Sequence, residues 1–266
     1  MFQVRFLYLD RLVIERGVKK VEKIEILQDY IDHAEKIVFF GGAGVSTESG
    51  VPDFRSQDGL YHQTYKYPPE TILSHSFYMS KKKDFYDFYF DKLLTKGILP
   101  NKAHKKLYEL EAAGKDITIV TQNIDGLHQA AGSKRVFELH GSVHRNYCEN
   151  CHKFFDGEYM IRHRDDGVPK CDACGGDIKP DVVLYGEGLD QKTLTGAVAA
   201  IAGADLLIVG GTSLAVYPAA GLVDYFNGEH LVVMNRDATE RDLHADLVIR
   251  DPIGESLDKI RVKVGE

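Results

Sequence analysis

Short apolar runs alternate along the chain with stretches whose apolar residues recur at helical spacing. The runs that predict buried strands lie at 37–40, 117–120, 136–139, 182–185, 206–209, 230–234 and 246–249. Between them, residues 21–35 and 101–113 each place their apolar positions on one helical face, and Pro218 is at a favoured helix start. This alternation predicts an α/β fold with a doubly wound, mostly parallel sheet of the Rossmann type.

Two segments interrupt this alternation. Residues 60–98 are rich in Tyr, Phe and Lys and contain no clear strand, which predicts a helical module. Residues 145–180 contain all four cysteines of the chain. We expect both segments to belong to one smaller domain. The larger, nucleotide-binding domain then comprises 21–59, 99–144 and 181–266, and an extension without a recognisable pattern precedes it at 1–20.

Charge and hydropathy narrow the classes of partner. The formal net charge is -7, so no basic excess indicates nucleic acid as a partner. No apolar run approaches the length of a membrane span, and the N-terminal residues lack the pattern of a secretory signal. We therefore expect a cytoplasmic protein that binds neither nucleic acid nor a membrane.

The cysteines form two CxxC pairs, Cys148 with Cys151 and Cys171 with Cys174. In a cytosolic chain, two such pairs at this spacing are typical of a Cys₄ zinc ribbon rather than of disulfides. Four thiolates fill a tetrahedral coordination shell, so the predicted zinc is structural and holds no catalytic water. The alternative is a redox-active CxxC.

Gly42-Ala43-Gly44 follows the first predicted strand and leads into a predicted helix start at 45–47. Backbone N–H groups at such a turn can face a pyrophosphate. The fingerprint of hydride-transferring enzymes requires a third glycine, but this chain has Thr47 at that position. It also requires an acidic residue at the end of the next strand, about 20 residues later, whereas a loop at 52–56 follows here. The turn therefore predicts a nucleotide site that differs from a dehydrogenase's, with a plain tight turn as the alternative.

Polar residues also follow four later strands. They are Thr121-Gln122-Asn123-Ile124-Asp125, His140-Gly141-Ser142, Gly210-Gly211-Thr212-Ser213-Leu214 and Asn235. The carboxyl ends of parallel strands meet at the ligand crevice of such folds. Each residue alone could be an ordinary loop residue, but together with the glycine turn they predict one nucleotide-binding site.

These motifs resemble those of the Sir2 (sirtuin) deacylases, bacterial type, in the order in which that family has them. The resemblance spans about residues 22–260 and rests on 42–56, 121–125, His140-Gly141, both cysteine pairs, 211–214 and Tyr217-Pro218. It implies an enzyme that consumes NAD to remove acyl groups from lysine side chains of proteins, with one structural zinc.

The resemblance also implies a role for each motif residue. His140 is expected to be the general base, and Asn123 is expected to be the second catalytic residue. NAD is expected to contact Gly42, Ala43, Thr47, Asp53, Phe54, Arg55, Gln122, Asn123, Asp125, Gly211, Thr212, Ser213 and Asn235. The acylated peptide is expected to pair through main-chain hydrogen bonds with the segment that contains Val183, Tyr185, Gly186 and Glu187, and Val183 is expected to pack near the acyl-lysine. The acyl oxygen attacks the carbon that carried nicotinamide, and His140 then helps a ribose hydroxyl to attack the resulting intermediate.

Three departures from the family pattern are visible. Gly41 stands where the family usually has Thr, and Tyr185 where it usually has Phe; both changes look tolerable. Members that remove acidic acyl groups carry a Tyr and an Arg three residues apart, whereas Tyr61 is followed by Thr64, and 57–134 contains no arginine. An acidic acyl group would lack its bidentate partner, which favours acetyl and other uncharged acyl groups.

Two other functions fit the same motifs. One is a protein ADP-ribosyltransferase on the same scaffold, and the other is a non-catalytic sensor of NAD or ADP-ribose. His140 together with Asn123 argues against the sensor. A zinc-dependent hydrolase is disfavoured because four cysteines leave no open position on the metal.

Overall fold

The computed structural model describes residues 22–53, 59, 65–94, 97–164 and 167–263, so the predicted extension at 1–20 lies outside the described residues. The strands are β1 (Lys36–Gly41), β2 (Asp116–Thr121), β3 (Val136–Glu138), β4 (Gly141–Cys148), β5 (Phe154–Asp156), β6 (Ile178–Val182), β7 (Leu206–Gly210), β8 (His230–Met234) and β9 (Leu247–Ile249). Six of them form a parallel sheet in the order β3-β2-β1-β7-β8-β9. This order confirms the doubly wound sheet, and the chain reverses its winding between β1 and β7.

Helices cover both faces of this sheet because its strands are apolar on both sides. Ile37 and Phe39 of β1 point into one core, and Val38 and Phe40 point into the other. The first core is closed by the helices Lys23–His33, Lys102–Ala112 and Ile253–Asp258. The second is closed by the helix Gln191–Ala202 and the 3₁₀ helix Ala219–Tyr225. No helix within the described ranges is long and apolar enough to cross a membrane.

The helical insertion and the cysteine-containing segment share a third core. The insertion contains Pro69–Ile72, His75–Ser80 and Lys82–Phe88, followed by a π-helical turn, Tyr89–Leu93. Its buried aromatic side chains pack against the antiparallel sheet β5-β4-β6 and the helix Gly157–Arg162. This small sheet extends beyond the predicted segment 145–180, because β4 already begins at Gly141 and β6 ends at Val182.

Ion pairs also join the helical insertion to the cysteine-containing segment. The ammonium group of Lys82 lies 2.6 Å from a carboxylate oxygen of Glu149 and 2.7 Å from one of Asp177. The hydroxyl group of Tyr86 donates to the backbone oxygen of Ile178. Glu149 lies between two of the cysteines, so the insertion is tied directly to the cysteine-containing loops.

The segment predicted as a strand at 182–185 is irregular beyond Val182. The Val183 N–H donates to the His140 carbonyl at 3.0 Å. The Tyr185 N–H donates to the Leu73 carbonyl at 2.9 Å, and the Tyr185 carbonyl accepts from the His75 N–H at 3.0 Å. Val182 and Leu184 are buried in the core that the helical insertion shares with the small sheet, whereas the Tyr185 side chain is 40% exposed, and none of them belongs to a strand of the large sheet.

The structure also differs from the helix start that the sequence predicts at 45–47. Two short 3₁₀ helices, Ala43–Val45 and Thr47–Ser49, follow β1. The Thr47 hydroxyl donates to the Gly44 carbonyl at 2.9 Å, and Gly50 ends the segment in the left-handed conformation. Hydroxyl side chains that bond to nearby backbone groups compete with a regular helix, which explains the difference.

Candidate active site

One cavity of about 800 Å³ lies at the carboxyl ends of the strands, where the winding reverses. It extends from the glycine-rich turn after β1 to the irregular segment after β6. The predicted residues that line it are Gly42, Ala43, Thr47, Asp53, Gln122, Asn123, Asp125, His140, Val183, Tyr185, Gly186, Glu187, Gly211, Thr212, Ser213 and Asn235. The structure therefore brings these predicted residues together, whereas Phe54 and Arg55 lie outside the described residues.

The glycine-rich turn packs directly on the turn after β7. The Gly44 N–H donates to the Gly211 carbonyl at 2.8 Å. A Cβ atom at Gly44 would lie 2.8 Å from the Gly211 Cα, so only glycine allows this approach. Within the described part of the chain, the backbone N–H of Ala43 donates no hydrogen bond. The Ala43 N–H is therefore a candidate anion-binding donor of this turn.

A buried hydroxyl group connects two of the predicted site residues. The Ser46 Oγ donates to the Asp125 Oδ2 at 2.7 Å and accepts from the Asn123 Nδ2 at 3.1 Å. The other oxygen of Asp125 accepts the Leu127 N–H at 3.0 Å. These bonds fix the carboxylate and the amide side chains relative to each other. Ser46 is only 1% exposed, and the sequence analysis did not single it out although it belongs to the glycine-turn motif.

His140 has a defined tautomer. Its Nδ1 lies 3.0 Å from the Gln122 carbonyl oxygen, which can only accept a hydrogen bond. The proton of the neutral ring is therefore on Nδ1, and Nε2 carries the free lone pair. Burial lowers the pKa of His140 below its ordinary value, and the bond to Gln122 only partly opposes this. A neutral imidazole of this kind can accept a proton at neutral pH.

The side chain of Gln122, which directly follows β2, is also held by a hydrogen bond. The Gln122 Nε2 donates to the Thr212 Oγ1 at 3.0 Å, and the same oxygen accepts the Leu214 N–H at 3.1 Å. Gln122 therefore connects the turn after β2 to the turn after β7. Thr212 is buried, so this bond is shielded from water.

Glu187 holds the irregular segment in place. One carboxylate oxygen accepts the Leu184 N–H at 2.9 Å and lies 3.3 Å from the Lys179 Nζ. The other oxygen lies 2.9 Å from the His75 Nδ1. Burial opposes ionisation of Glu187, but the Leu184 N–H, His75 and Lys179 together keep its pKa below the ordinary value. These contacts indicate that Glu187 shapes residues 183–187.

The four cysteine sulfur atoms lie within 4.8 Å of one another. The Cys148 and Cys174 sulfurs are 3.4 Å apart, and those of Cys151 and Cys171 are 3.6 Å apart. Tetrahedral zinc with zinc–sulfur bonds of about 2.3 Å requires sulfur–sulfur distances of about 3.8 Å, so the four residues fit this ion. At Gly176 a Cβ atom would lie 3.0 Å from the Cys148 sulfur, so glycine leaves room for the ligand loop.

This chain is similar in sequence to known proteins. The model of the Sir2 family matches residues 42–218. A Clostridium acetobutylicum protein named NAD-dependent protein deacetylase is 55% identical over 242 residues, which cover 90% of this chain and 98% of that protein. A Cutibacterium acnes protein of the same name is 51% identical and covers 89% of this chain and 97% of its own length.

This chain is also similar to solved structures of Sir2 proteins. A Sir2–p53 peptide–NAD+ structure has a TM-score of 0.80 and 36% identity, and the match covers 90% of this chain and 97% of that one. A structure of Sir2 bound to acetylated peptide has a TM-score of 0.78 and 35% identity, with the same coverage. Those two Sir2 structures contain NAD+ with a p53 peptide and an acetylated peptide, respectively.

Proposed function

This chain belongs to the Sir2 family, and we propose that it is an NAD-dependent protein deacetylase that transfers the lysine acyl group to ADP-ribose and releases nicotinamide and free lysine. The observation that carries this proposal is the position of His140. It lines the same cavity as the glycine-rich turn and residues 183–187. Transfer of an acyl group from a peptide to a nucleotide requires both sites to meet at one proton-accepting group.

In this proposal, the glycine-rich turn and the turn after β7 hold the pyrophosphate and ribose of NAD. Gln122, Asn123 and Asp125 hold its nicotinamide end, because the Asp125 carboxylate can accept the N–H groups of the carboxamide. Asp53, together with Phe54 and Arg55, is assigned to the same end. NAD itself supplies the electrophilic carbon to which the acyl oxygen is transferred. Ser46 keeps Asn123 and Asp125 in position.

His140 acts as the general base on a ribose hydroxyl group. Its Nε2 accepts the proton, and the Gln122 carbonyl stabilises the Nδ1–H of the resulting imidazolium. The acylated peptide pairs with the segment 183–187, whose shape Glu187 maintains. Val183 lies next to His140 through its N–H bond to the His140 carbonyl, which supports its assignment beside the acyl-lysine.

We also propose that uncharged acyl groups are preferred. Lys92, the neighbour of Leu93 in the sequence, is one of the described cations that line the cavity. Its Nζ lies 3.0 Å from a carboxylate oxygen of Asp91, so its charge is already compensated. Together with the absence of arginine from 57–134, this favours acetyl over succinyl groups.

The cytoplasm is the proposed compartment of this reaction. Zinc-binding thiolates persist in a reducing environment, where the competing disulfides do not form. The four clustered cysteines are not paired as disulfides, and the reaction requires a supply of NAD.

The proposal is tested with NAD and a panel of acetyl-, butyryl- and succinyl-lysine peptides. Mass spectrometry is expected to detect free lysine peptide, nicotinamide and acyl-ADP-ribose, with the acetyl peptide turned over faster than the succinyl peptide. His140→Ala should reduce turnover by about 10²–10⁴-fold but keep the affinity for ADP-ribose. Label from NAD on the protein instead of on a soluble product would indicate an ADP-ribosyltransferase. Near-normal turnover by His140→Ala would contradict the assigned base.

A further inference from the structure

The loop that follows β8 forms one wall of the cavity. Residues 235–238 line it, and so do residues 250–253 after β9. The regular structure of this loop is limited to the 3₁₀ helix Glu240–Leu243, which lies beyond the lining residues. The Asn235 N–H bonds to the Ile249 carbonyl at 3.1 Å. Two backbone carbonyl groups of the lining part, those of Asn235 and Asp237, accept hydrogen bonds from a side chain after β9.

The guanidinium group of Arg250 supplies these contacts. Its Nη1 donates to the Asn235 carbonyl at 2.9 Å and to the Asp237 carbonyl at 3.0 Å. Its Nη2 bonds to the carboxylate of Asp242. That carboxylate also accepts the Thr239 N–H at 3.1 Å and the Thr239 hydroxyl at 2.9 Å. A single planar group thus connects both ends of the loop 235–242, because only arginine offers several donors in a fixed fork.

The bonds of Arg250 flank the residue assigned to the nucleotide. The Asn235 Nδ2 donates to the Asp237 carbonyl at 2.9 Å, which is one of the two carbonyls that Arg250 holds. The conformation of the Asn235 side chain therefore depends on the same carbonyl as the arginine. The Asp242 side chain is only 15% exposed, so its contact with Arg250 is partly shielded from water.

We propose that Arg250 is a positioning residue for NAD: it preorganises the loop 235–242 so that Asn235 meets the adenosine ribose. This inference rests on the proposed function and on the assignment of Asn235, one of the NAD contacts that the Sir2 resemblance implies, to the adenosine ribose. A loop that is already held in its binding conformation loses less entropy when the ligand binds. Arg250 should therefore affect nucleotide affinity and leave the chemistry at His140 unchanged.

The test uses the full-length enzyme with Arg250→Gln and Arg250→Lys. For Arg250→Gln we expect the KM for NAD and the Kd for ADP-ribose to rise about tenfold, since charge-assisted hydrogen bonds of this kind are each worth about that factor. The kcat value and the KM for the acetyl-lysine peptide should change less than about twofold. Arg250→Lys should show an intermediate effect and carries the test if the glutamine variant does not fold.

Arg241→Gln is the matched control. Arg241 is on the same loop, but its guanidinium pairs with the Asp224 carboxylate and is not among the residues that line the cavity. Its loss should leave the affinity for NAD unchanged. An equal loss in Arg241→Gln and Arg250→Gln would show a general effect on the loop and overturn the inference.

A double-mutant cycle with Asn235→Ala separates this inference from the proposed function. Because Arg250 acts through Asn235, the double variant should bind ADP-ribose no more weakly than Asn235→Ala alone. Weak binding by Asn235→Ala together with normal binding by the Arg250 variants would overturn the inference and leave the proposed site intact. Additive losses would show that Arg250 acts independently of Asn235, which also overturns it. Normal binding by all variants would remove the proposed nucleotide end of the site as well.

Discussion

Two buried histidines should make the folding stability of this protein sensitive to mild acid. His104 and His128 are both fully buried, and their rings are 4.6 Å apart in a T-shaped arrangement. Neither ring nitrogen of His128 has a hydrogen-bond partner among the described residues. Burial lowers the pKa of His104 to about 4, and burial and His104 lower that of His128 well below its ordinary value. The His104 imidazole is therefore neutral in the folded protein at pH 5, and burial likewise favours the neutral form of His128.

The magnitude follows from the difference between the folded and unfolded states. In the unfolded chain each histidine titrates near ~6.5 and binds a proton at pH 5. A histidine that stays neutral in the folded state then costs about 2 kcal/mol at pH 5 relative to pH 8. Because the folded pKa is lowered, stability is complete above about pH 6.5 and falls as the pH decreases toward about 4.

His128→Phe tests this effect without removing a hydrogen bond. His128 also packs 5.9 Å from the Phe39 ring, so an apolar aromatic side chain suits the site, and any packing cost does not vary with pH. Urea unfolding of both proteins at pH 5, 6, 7 and 8 is expected to show that the variant loses less stability than the parent between pH 8 and pH 5, by up to about 2 kcal/mol.

Comparison of the two proteins at each pH cancels the contributions of other groups, including the carboxylates and the zinc ligands. His33→Gln is the control for loss of an imidazole at a surface position, since the His33 side chain is 79% exposed. If the parent and His128→Phe lost stability in parallel between pH 8 and pH 5, the reasoning from burial would be wrong.

Two more predictions concern the site and the metal. Ser46→Ala should lower kcat/KM about tenfold or more, because it leaves the buried Asn123 Nδ2 without its hydrogen-bond acceptor. Steady-state kinetics measure this change. A kcat/KM equal to that of the parent would contradict the positioning role of Ser46. Removal of zinc by a chelator should lower Tm and reduce turnover, and added zinc should restore both; metal analysis that finds no zinc in the purified protein would refute the assignment.

The fold could be predicted from the sequence largely because its strands are buried on both faces. The run Ile37-Val38-Phe39-Phe40 supplies apolar side chains to two cores, and this produces continuous apolar runs that are easy to recognise. The residues that line the cavity could be predicted because many of them directly follow those strands. Asn123 and Asp125 reach the cavity from the end of β2 for this geometric reason.

The parts that could not be predicted depend on contacts between distant segments. Residues 182–185 look like a core strand by composition, but Val183 and Tyr185 bond to the His140 and Leu73 regions. The hydrogen bond between Ser46 and Asp125 joins residues 79 positions apart. Local periodicity contains no information about such tertiary partners. The same limit applies to Arg250, whose sequence context gives no indication of its bonds to Asn235 and Asp237.

His140 lies between the two sheets, so its position is connected to that of the cysteine cluster. His140 lies between β3 of the large sheet and β4 of the small one, and β4 continues to the first zinc ligand, Cys148. Arg145 of β4 bonds to Glu138, two residues before His140, and its Nε lies 2.8 Å from an Asp181 oxygen, two residues before Val183. The small sheet thus sets the position of the substrate segment relative to the base. A ribbon without zinc can therefore misalign the peptide and His140 while the nucleotide turns, which belong to the large sheet, keep their packing.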